Sequence, residues 1–274
     1  MSLKGKTVFI TGASRGIGRE IALRAACDGA NIVIAAKSIE AHPKLGGSIY
    51  TVAKEVEAAG GQALALQLDV RDQEAVALAM KQAFEHFGSI DILINNAGAI
   101  KLSGVEALDP KRFDLMYQIN TRAVLVCSQA ALPYLKQSKN PHILNLSPPL
   151  NLNPKWFASY APYTITKYGM SMLTIGMNQE FANYGISVNS LWPRTIIATA
   201  AVEFSAGKAL FPRSRKPSIM ADAAYQILIS ENRALTGRLM IDEQILTERG
   251  ETNLDQYRYE NSDEELMVDL FVEE

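Results

Sequence analysis

Tyr163 and Lys167 stand four residues apart, the spacing that stacks two side chains on one helix face. Pro162 suits the first turn of that helix, where its missing N–H costs little. A free phenol has a pKa near ~10 and exchanges protons poorly at neutral pH. A neighbouring ammonium favours the phenolate and moves the group toward the working range. Such a phenol can give a proton to a carbonyl oxygen or take one from an alcohol. The spacing alone decides little, because Tyr50 and Lys54 repeat it. An ordinary amphipathic helix accounts for either pair. What separates them is the element each one follows.

A second cluster lies near the start of the chain. Thr11-Gly12-Ala13-Ser14-Arg15-Gly16-Ile17-Gly18 joins a short apolar run to an amphipathic one. Glycines there permit positive φ and remove the Cβ atoms that block a phosphate. A helix beginning near Ile17 offers unpaired N–H groups and a positive dipole end to a pyrophosphate. The spacing is Gly-x-x-x-Gly-x-Gly, not the Gly-x-Gly-x-x-Gly of the commonest dinucleotide fingerprint. A glycine cluster can be only a tight turn, but a place after the first strand of a βαβ unit favours a nucleotide. Asn95-Asn96-Ala97-Gly98 also reads as a turn, and Asp69 as a cap for the helix near Gln73.

The elements that must position these residues alternate regularly. Apolar runs at 7–11, 31–36, 63–68, 90–95, 142–147, 187–192 and 237–242 show little in/out alternation, the pattern of parallel strands covered on both faces. Between them lie helical periodicities near 17–27, 49–59, 73–86, 110–137, 162–183 and 221–230. The expectation is an α/β fold: a single Rossmann-like domain with a doubly wound parallel sheet of about seven strands. Ligands of such sheets sit outside the carboxyl ends of the strands at the switch point. The helix of Tyr163 follows the fifth strand and faces that point; the helix of Tyr50 follows the second. Residues 38–48 form a loop longer than a tight connection needs. A catalytic domain is expected over 1–245, followed by an acidic extension, 246–274. That extension reads as solvated, or else as packing residues 266–272 on a neighbouring subunit.

At 274 residues the chain can bury a large core. A net charge of -2 gives no basic footprint for nucleic acid. No apolar run is long enough for a membrane span, and the start lacks a signal-peptide core. Cys27 and Cys127 fall in helices, which suits buried thiols and a reducing, cytoplasmic setting. His42, His86 and His142 lack metal-ligand spacing, so no metal site is expected.

Thr-Gly-x-x-x-Gly-x-Gly, Asn-Asn-Ala-Gly and Tyr-x-x-x-Lys, in this order over about 6–242, resemble the short-chain dehydrogenase/reductase family. Within it, Ala36-Lys37, His42-Pro43-Lys44, 147–154 and Trp192-Pro193 are similar to a group whose larger members add a C-terminal sterol-carrier domain. The expectation here is a chain without that domain and without a Ser-Lys-Leu-type peroxisomal ending. The resemblance implies hydride transfer with Tyr163 as general acid/base, Lys167 on the nicotinamide ribose and Asn120 holding a relay water. Gly12, Ser14, Arg15, Gly16, Ile17 and Gly18 of the phosphate turn are then cofactor contacts, and the resemblance places Asp69 and Val70 beside the adenine and Asn96, Ala97 and Gly98 along the cofactor. It also implies a homodimer or homotetramer through the helices of Gln129 and Gly176.

The second strand ends Ala35-Ala36-Lys37-Ser38, without the acid that would bind both ribose hydroxyls of NAD. Lys37 and Arg15 can instead neutralise a 2′-phosphate, so NADP(H) is expected. Two positions depart from the family pattern. Pro148 takes the place of the usual serine, leaving Ser147 one residue early, with Asn151 or Asn153 as other donors. Pro193-Arg194 replaces Pro-Gly, so the backbone near Ile196 is left to meet the carboxamide, with Thr195 and Thr199 as further contacts. Residues 198–217, with Trp156, Phe157 and Trp192, are expected to enclose an apolar or lipid-like carbonyl or alcohol. The departures also leave room for a catalytically weak NADP(H)-binding sensor or scaffold. A protein-binding module acting through the acidic tail is a third reading.

Overall fold

The computed structural model describes residues 1–41, 46–231, 233–260 and 264–273. Residues 42–45 of the long loop, and Asp263 and Glu274 of the acidic run, lie outside the described residues. Seven parallel strands form one sheet: β1 (Thr7–Thr11), β2 (Asn31–Ala36), β3 (Gln62–Gln67), β4 (Ile92–Asn95), β5 (His142–Asn145), β6 (Ser187–Trp192) and β7 (Leu239–Ile241). Their spatial order is β3-β2-β1-β4-β5-β6-β7. The order reverses between β1 and β4, and the crevice for a ligand opens there.

Helices cover both faces, which explains the lack of alternation in the strands. On one side pack α1 (Gly16–Ala26), α2 (Ile49–Ala58), α9 (Ser218–Leu228) and α10 (Asp242–Glu248). Val8 and Ile10 of β1 join Ile21, Ile49 and Met220 in that layer. On the other side pack α3 (Gln73–Phe87), α5 (Ala123–Leu135) and α7 (Ala161–Glu180), and Phe9 joins Met80, Val124 and Met170. Full burial of each such side chain stabilises the fold by roughly 1.5–3 kcal/mol. Among the described residues no helix is long and apolar enough to cross a membrane, and no His/Cys/Asp/Glu group could hold a metal.

Four expectations change. The single helix over 110–137 is α4 (Pro110–Tyr117), a π-helical turn at Gln118–Arg122, and α5. One extra residue per turn does not disturb apolar periodicity enough to show in sequence, yet such turns recur at functional sites. Cys27 is exposed at the end of α1, whereas Cys127 is buried and desolvation pushes its thiol up to about 12. The 245/246 boundary falls inside α10. Finally, the acidic extension is not a solvated tail. Tyr257, Phe271 and Val272 are buried, and Phe271 sits among Trp156, Tyr163, Tyr168 and Trp192 of the same chain. Its acids mask an apolar run, Val268, Leu270, Phe271 and Val272, that burial stabilises more than solvation of its neighbours opposes.

Candidate functional site

A cleft of about 520 Å³ opens at the switch point. The turn after β1 forms its floor, with Gly12 at φ +70° and Gly16 at φ +58°. A Cβ on Gly12 would lie 2.8 Å from Ala97 Cα, so only glycine lets the two loops touch. Thr11 laces them: its hydroxyl accepts from the N–H groups of Asn96 and Ala97, both at 3.1 Å. Asn96 Nδ2 donates back to Thr11 O at 2.9 Å and Gly12 O at 3.1 Å. Gly12, Ser14, Arg15, Gly16, Ile17, Asn96, Ala97 and Gly98 all line the cleft. Gly18 does not. It is buried beneath the turn, where a Cβ would collide with the Asn96 amide, so its absence serves packing of helix on loop.

At the end of β2, Lys37 stands largely exposed on the cleft rim, 3.9 Å from Asp69 Oδ2. Arg15 reaches the loop behind it, donating to Ser38 Oγ at 3.1 Å and Gly47 O at 3.0 Å. Asp69 and Val70 line the cleft after β3. A bidentate hydrogen-bonded pair with Arg71, 2.6 Å at its shortest, outweighs burial and holds the Asp69 carboxyl below its usual range. These residues fit a dinucleotide: a glycine floor without Cβ atoms, then cations where an adenosine phosphate would lie.

Across the cleft, α7 carries Tyr163 and Lys167, both buried and both on the wall. Lys167 Nζ donates to Leu146 O at 2.6 Å and lies 4.9 Å from the centre of the Trp192 ring. With protein groups alone, burial dominates both titrations. It pushes the Tyr163 phenol up and brings Lys167 down to about 7. Asn120 sits on the π-helical turn, wholly buried below the cleft surface it helps to line. Both its amide hydrogens are engaged, with Ala99 O and Thr166 Oγ1 at 2.9 Å each. Gly169 permits this approach, since a Cβ there would fall 2.6 Å from Thr121 Cγ2. Tyr50, by contrast, is exposed on α2, and neither it nor Lys54 lines the cleft.

The expected β5 donor is not in the cleft. Strand β5 ends at Asn145, and Ser147 folds back through its N–H onto Asn145 O at 3.0 Å. Its hydroxyl is buried with no hydrogen-bond partner among the described residues. The Pro148-Pro149 pair that follows cannot continue the strand ladder, and the chain turns Ser147 into the protein. Asn151 and Asn153 extend their amides to Glu273, at 2.8 Å and 3.5 Å.

The segment after β6 also differs from expectation. Pro193 lines the cleft, but Ile196 does not; its N–H donates to Met267 O and its carbonyl accepts from Arg215 N, both at 3.0 Å. The C-terminal segment has taken the backbone expected for a carboxamide, and Ile197 faces the cleft instead. Arg194 turns toward Glu243 at 3.7 Å, away from the cleft. Thr195 is buried beside Val268, while Thr199 caps α8 (Ala200–Ala206) and lines the cleft. Trp192, Val202 and Phe204 line it too; Trp156 and Phe157, on the short α6 (Lys155–Ala158), pack instead around Phe271 and Tyr168. The sequence reading missed Asp269, which lies on the wall with Tyr163 and Lys167. An acid between Val268 and Leu270 was the available signal.

The short chain dehydrogenase family model matches residues 6–208. Hydroxysteroid dehydrogenase-like protein 2 from Bos taurus is 54% identical over 272 residues, covering 99% of this chain and 64% of that protein. The chain thus spans less than two thirds of the length of this curated relative. A putative dehydrogenase from Xanthomonas campestris shares 50% identity and a TM-score of 0.95, with 100% of each chain covered. Two more distant structures carry coenzymes. A metagenomic short-chain oxidoreductase in complex with NADP is 26% identical, with a TM-score of 0.72 over 88% of this chain and 98% of its own. A Mycobacterium paratuberculosis short chain dehydrogenase bound to NAD is 23% identical and shares the fold, with a TM-score of 0.75 over 88% and 97%. With that family match and half or more of its residues shared with such relatives, the chain belongs to the short-chain dehydrogenase family of oxidoreductases.

Proposed function

We propose that the protein is an NADP(H)-dependent oxidoreductase acting on a carbonyl or secondary alcohol of an apolar or lipid-like small molecule. The observation that carries this is the convergence of Tyr163 and Lys167 with the Gly12–Gly16 turn and Asn96–Gly98 on one cleft. The coenzyme supplies or accepts the hydride when bound. Tyr163 then gives its proton to the substrate oxygen, or takes it back in the reverse direction. Lys167 orients the nicotinamide ribose and offsets negative charge on the phenol. Since both amide hydrogens of Asn120 are bound within the protein, any relay water there donates to Asn120 rather than accepting from its side-chain amide.

The glycine floor and Ser14 receive the pyrophosphate, and Asp69 and Val70 flank the adenine. Lys37 and Arg15 favour a 2′-phosphate because no acid ends β2. The apolar lining, Ile17, Ile100, Ile197, Val202, Phe204 and Met220, suits an apolar substrate. A homodimer or homotetramer pairs through the helices of Gln129 and Gly176, α5 and α7; on α7, exposed Ile165, Met172 and Ile175 stand beside an open Gly176. A cytoplasmic setting is proposed with it, and the two free thiols suit one.

The test is a panel of apolar ketones and alcohols with NADPH and NADP, following absorbance of the reduced ring, with Tyr163→Phe as control. Turnover that survives intact in Tyr163→Phe would sink the reading. The placement of Ser147 outside the cleft favours a second reading, a sensor or scaffold that binds NADP(H) with little turnover. Tight coenzyme binding without turnover across the panel selects it.

A further inference from the structure

A substrate oxygen placed against Tyr163 meets no donor from β5. The Ser147 hydroxyl is buried outside the cleft, and Pro148 has no donor, its carbonyl accepting from Ser171 Oγ at 2.6 Å. The C-terminal segment brings a carboxyl to the same wall. Asp269 lines the cleft with Tyr163 and Lys167, and its charge acts on both. Its position is fixed from several sides. Its N–H donates to Arg194 O at 2.9 Å, Trp192 Nε1 donates to Leu270 O at 2.9 Å, and Phe271 is buried in the aromatic cluster. The Leu270 N–H donates to Asp269 Oδ1 at 2.7 Å.

We infer that Asp269, in its carboxylic-acid form, is a catalytic residue that donates a hydrogen bond from Oδ2 to the substrate oxygen opposite Tyr163. The inference rests on the oxidoreductase reading. Asp269 keeps its proton throughout, while Tyr163 gives the proton that is transferred; no bond to Asp269 forms or breaks beyond the hydrogen bond. The surroundings favour the neutral acid. Burial pushes Asp269 up to about 7, against the opposing pull of the Leu270 N–H and Lys167. A carboxylic acid whose surroundings raise it above its ordinary range is, while protonated, a competent hydrogen-bond donor to a developing oxyanion. The titratable groups facing it are Lys167 and Tyr163 on α7 and Tyr160 at its start; Arg194 is turned to Glu243. Donation is available below about 7 and is lost as pH rises through that value.

The experiment uses the full chain with NADPH and the ketone panel, comparing wild type, Asp269→Ala, Asp269→Asn and Tyr163→Phe across the neutral range. Asp269→Ala is expected to lose about 100-fold in kcat/KM, the order seen when an oxyanion donor is removed. Its NADPH affinity, read by fluorescence, stays within about threefold. Asp269→Asn keeps a donor that cannot ionise, so it retains kcat/KM within about tenfold and loses the alkaline decline of the wild type. Unchanged kcat/KM in Asp269→Ala, with Tyr163→Phe inactive, overturns this inference alone. So does an Asp269→Asn decline that merely moves to lower pH, which would mark Lys167 as the titrating group. A wild type inert on the whole panel overturns both this and the oxidoreductase reading. If Asp269→Ala does not fold, the Asp269→Asn profile decides.

Discussion

The ring of Phe271, near the C-terminal end of the chain, stacks on that of Tyr163, with centroids 6.2 Å apart and planes 28° from parallel. The same ring meets Tyr168 at 5.2 Å, Trp156 at 5.8 Å and Trp192 at 5.9 Å. The C-terminal segment is therefore part of the wall against which the candidate acid/base rests. Phe271→Ala is expected to cost about 3–5 kcal/mol, the range for emptying a buried aromatic site. Its kcat/KM should fall as well, because Tyr163 loses the surface that fixes its ring. Urea unfolding followed by tryptophan emission, together with turnover at a temperature where the variant is folded, checks both. A loss below ~1 kcal/mol would show that the segment adds little to the wall.

What could be read in advance divides by sequence distance. The Gly12–Gly18 turn, the Asn95–Gly98 turn and the Tyr163–Lys167 pair are local. Each is a few residues whose types state their own geometry, and each lies at the end of an element that periodicity reveals. The seven strands were legible for the same reason, since a strand buried on both faces requires an unalternating run of Val, Ile and Leu. Asp269 and Phe271 were not. Asp269 reaches the cleft, and Phe271 the back of the Tyr163 ring, across roughly a hundred residues of intervening chain, and acidic composition hid the apolar run that docks them. Ser147 failed differently. Its position could be counted, but the direction of its side chain is set by the turn at Pro148-Pro149, which hydrophobic pattern does not encode. The π-helical turn under Asn120 is likewise invisible inside a helix-length periodicity.

Nucleotide choice should turn on Lys37. It stands on the cleft rim 3.9 Å from Asp69, with no acid ending β2 beside it. Lys37→Asp puts a carboxylate where the 2′-phosphate is expected. The variant should bind NADPH at least tenfold more weakly, about 1.4 kcal/mol, while NADH binding holds or improves. Fluorescence titration with both coenzymes measures this. Parallel losses for both would take Lys37 out of nucleotide selection.

His142 sets an acid limit on stability. It is buried in β5, and desolvation brings it down from 6.5 to about 4. Between those values the unfolded chain binds a proton that the folded one refuses, so stability is present above about 6.5 and lost as pH falls toward 4. The shift corresponds to roughly 3 kcal/mol. Chemical unfolding at a series of pH values should show this slope, with a shallower one in His142→Asn. Equal slopes would assign acid sensitivity to other groups.

Ser147→Ala tests whether β5 takes any part in the chemistry. The hydroxyl is fully buried, lies off the cleft wall and has no hydrogen-bond partner among the described residues. An unpaired buried hydroxyl costs free energy to desolvate, so replacing it with a methyl should leave stability unchanged or raise it by up to ~1 kcal/mol. Turnover should follow the same logic: with no contact to substrate or coenzyme, kcat/KM is expected within about twofold of wild type. Thermal unfolding and steady-state kinetics on one preparation read both quantities. A fall of 100-fold or more in kcat/KM at unchanged stability would mean that the turn after β5 reorganises during catalysis to present this hydroxyl. In that case Ser147, not Asp269, would be the partner of Tyr163 on the substrate oxygen.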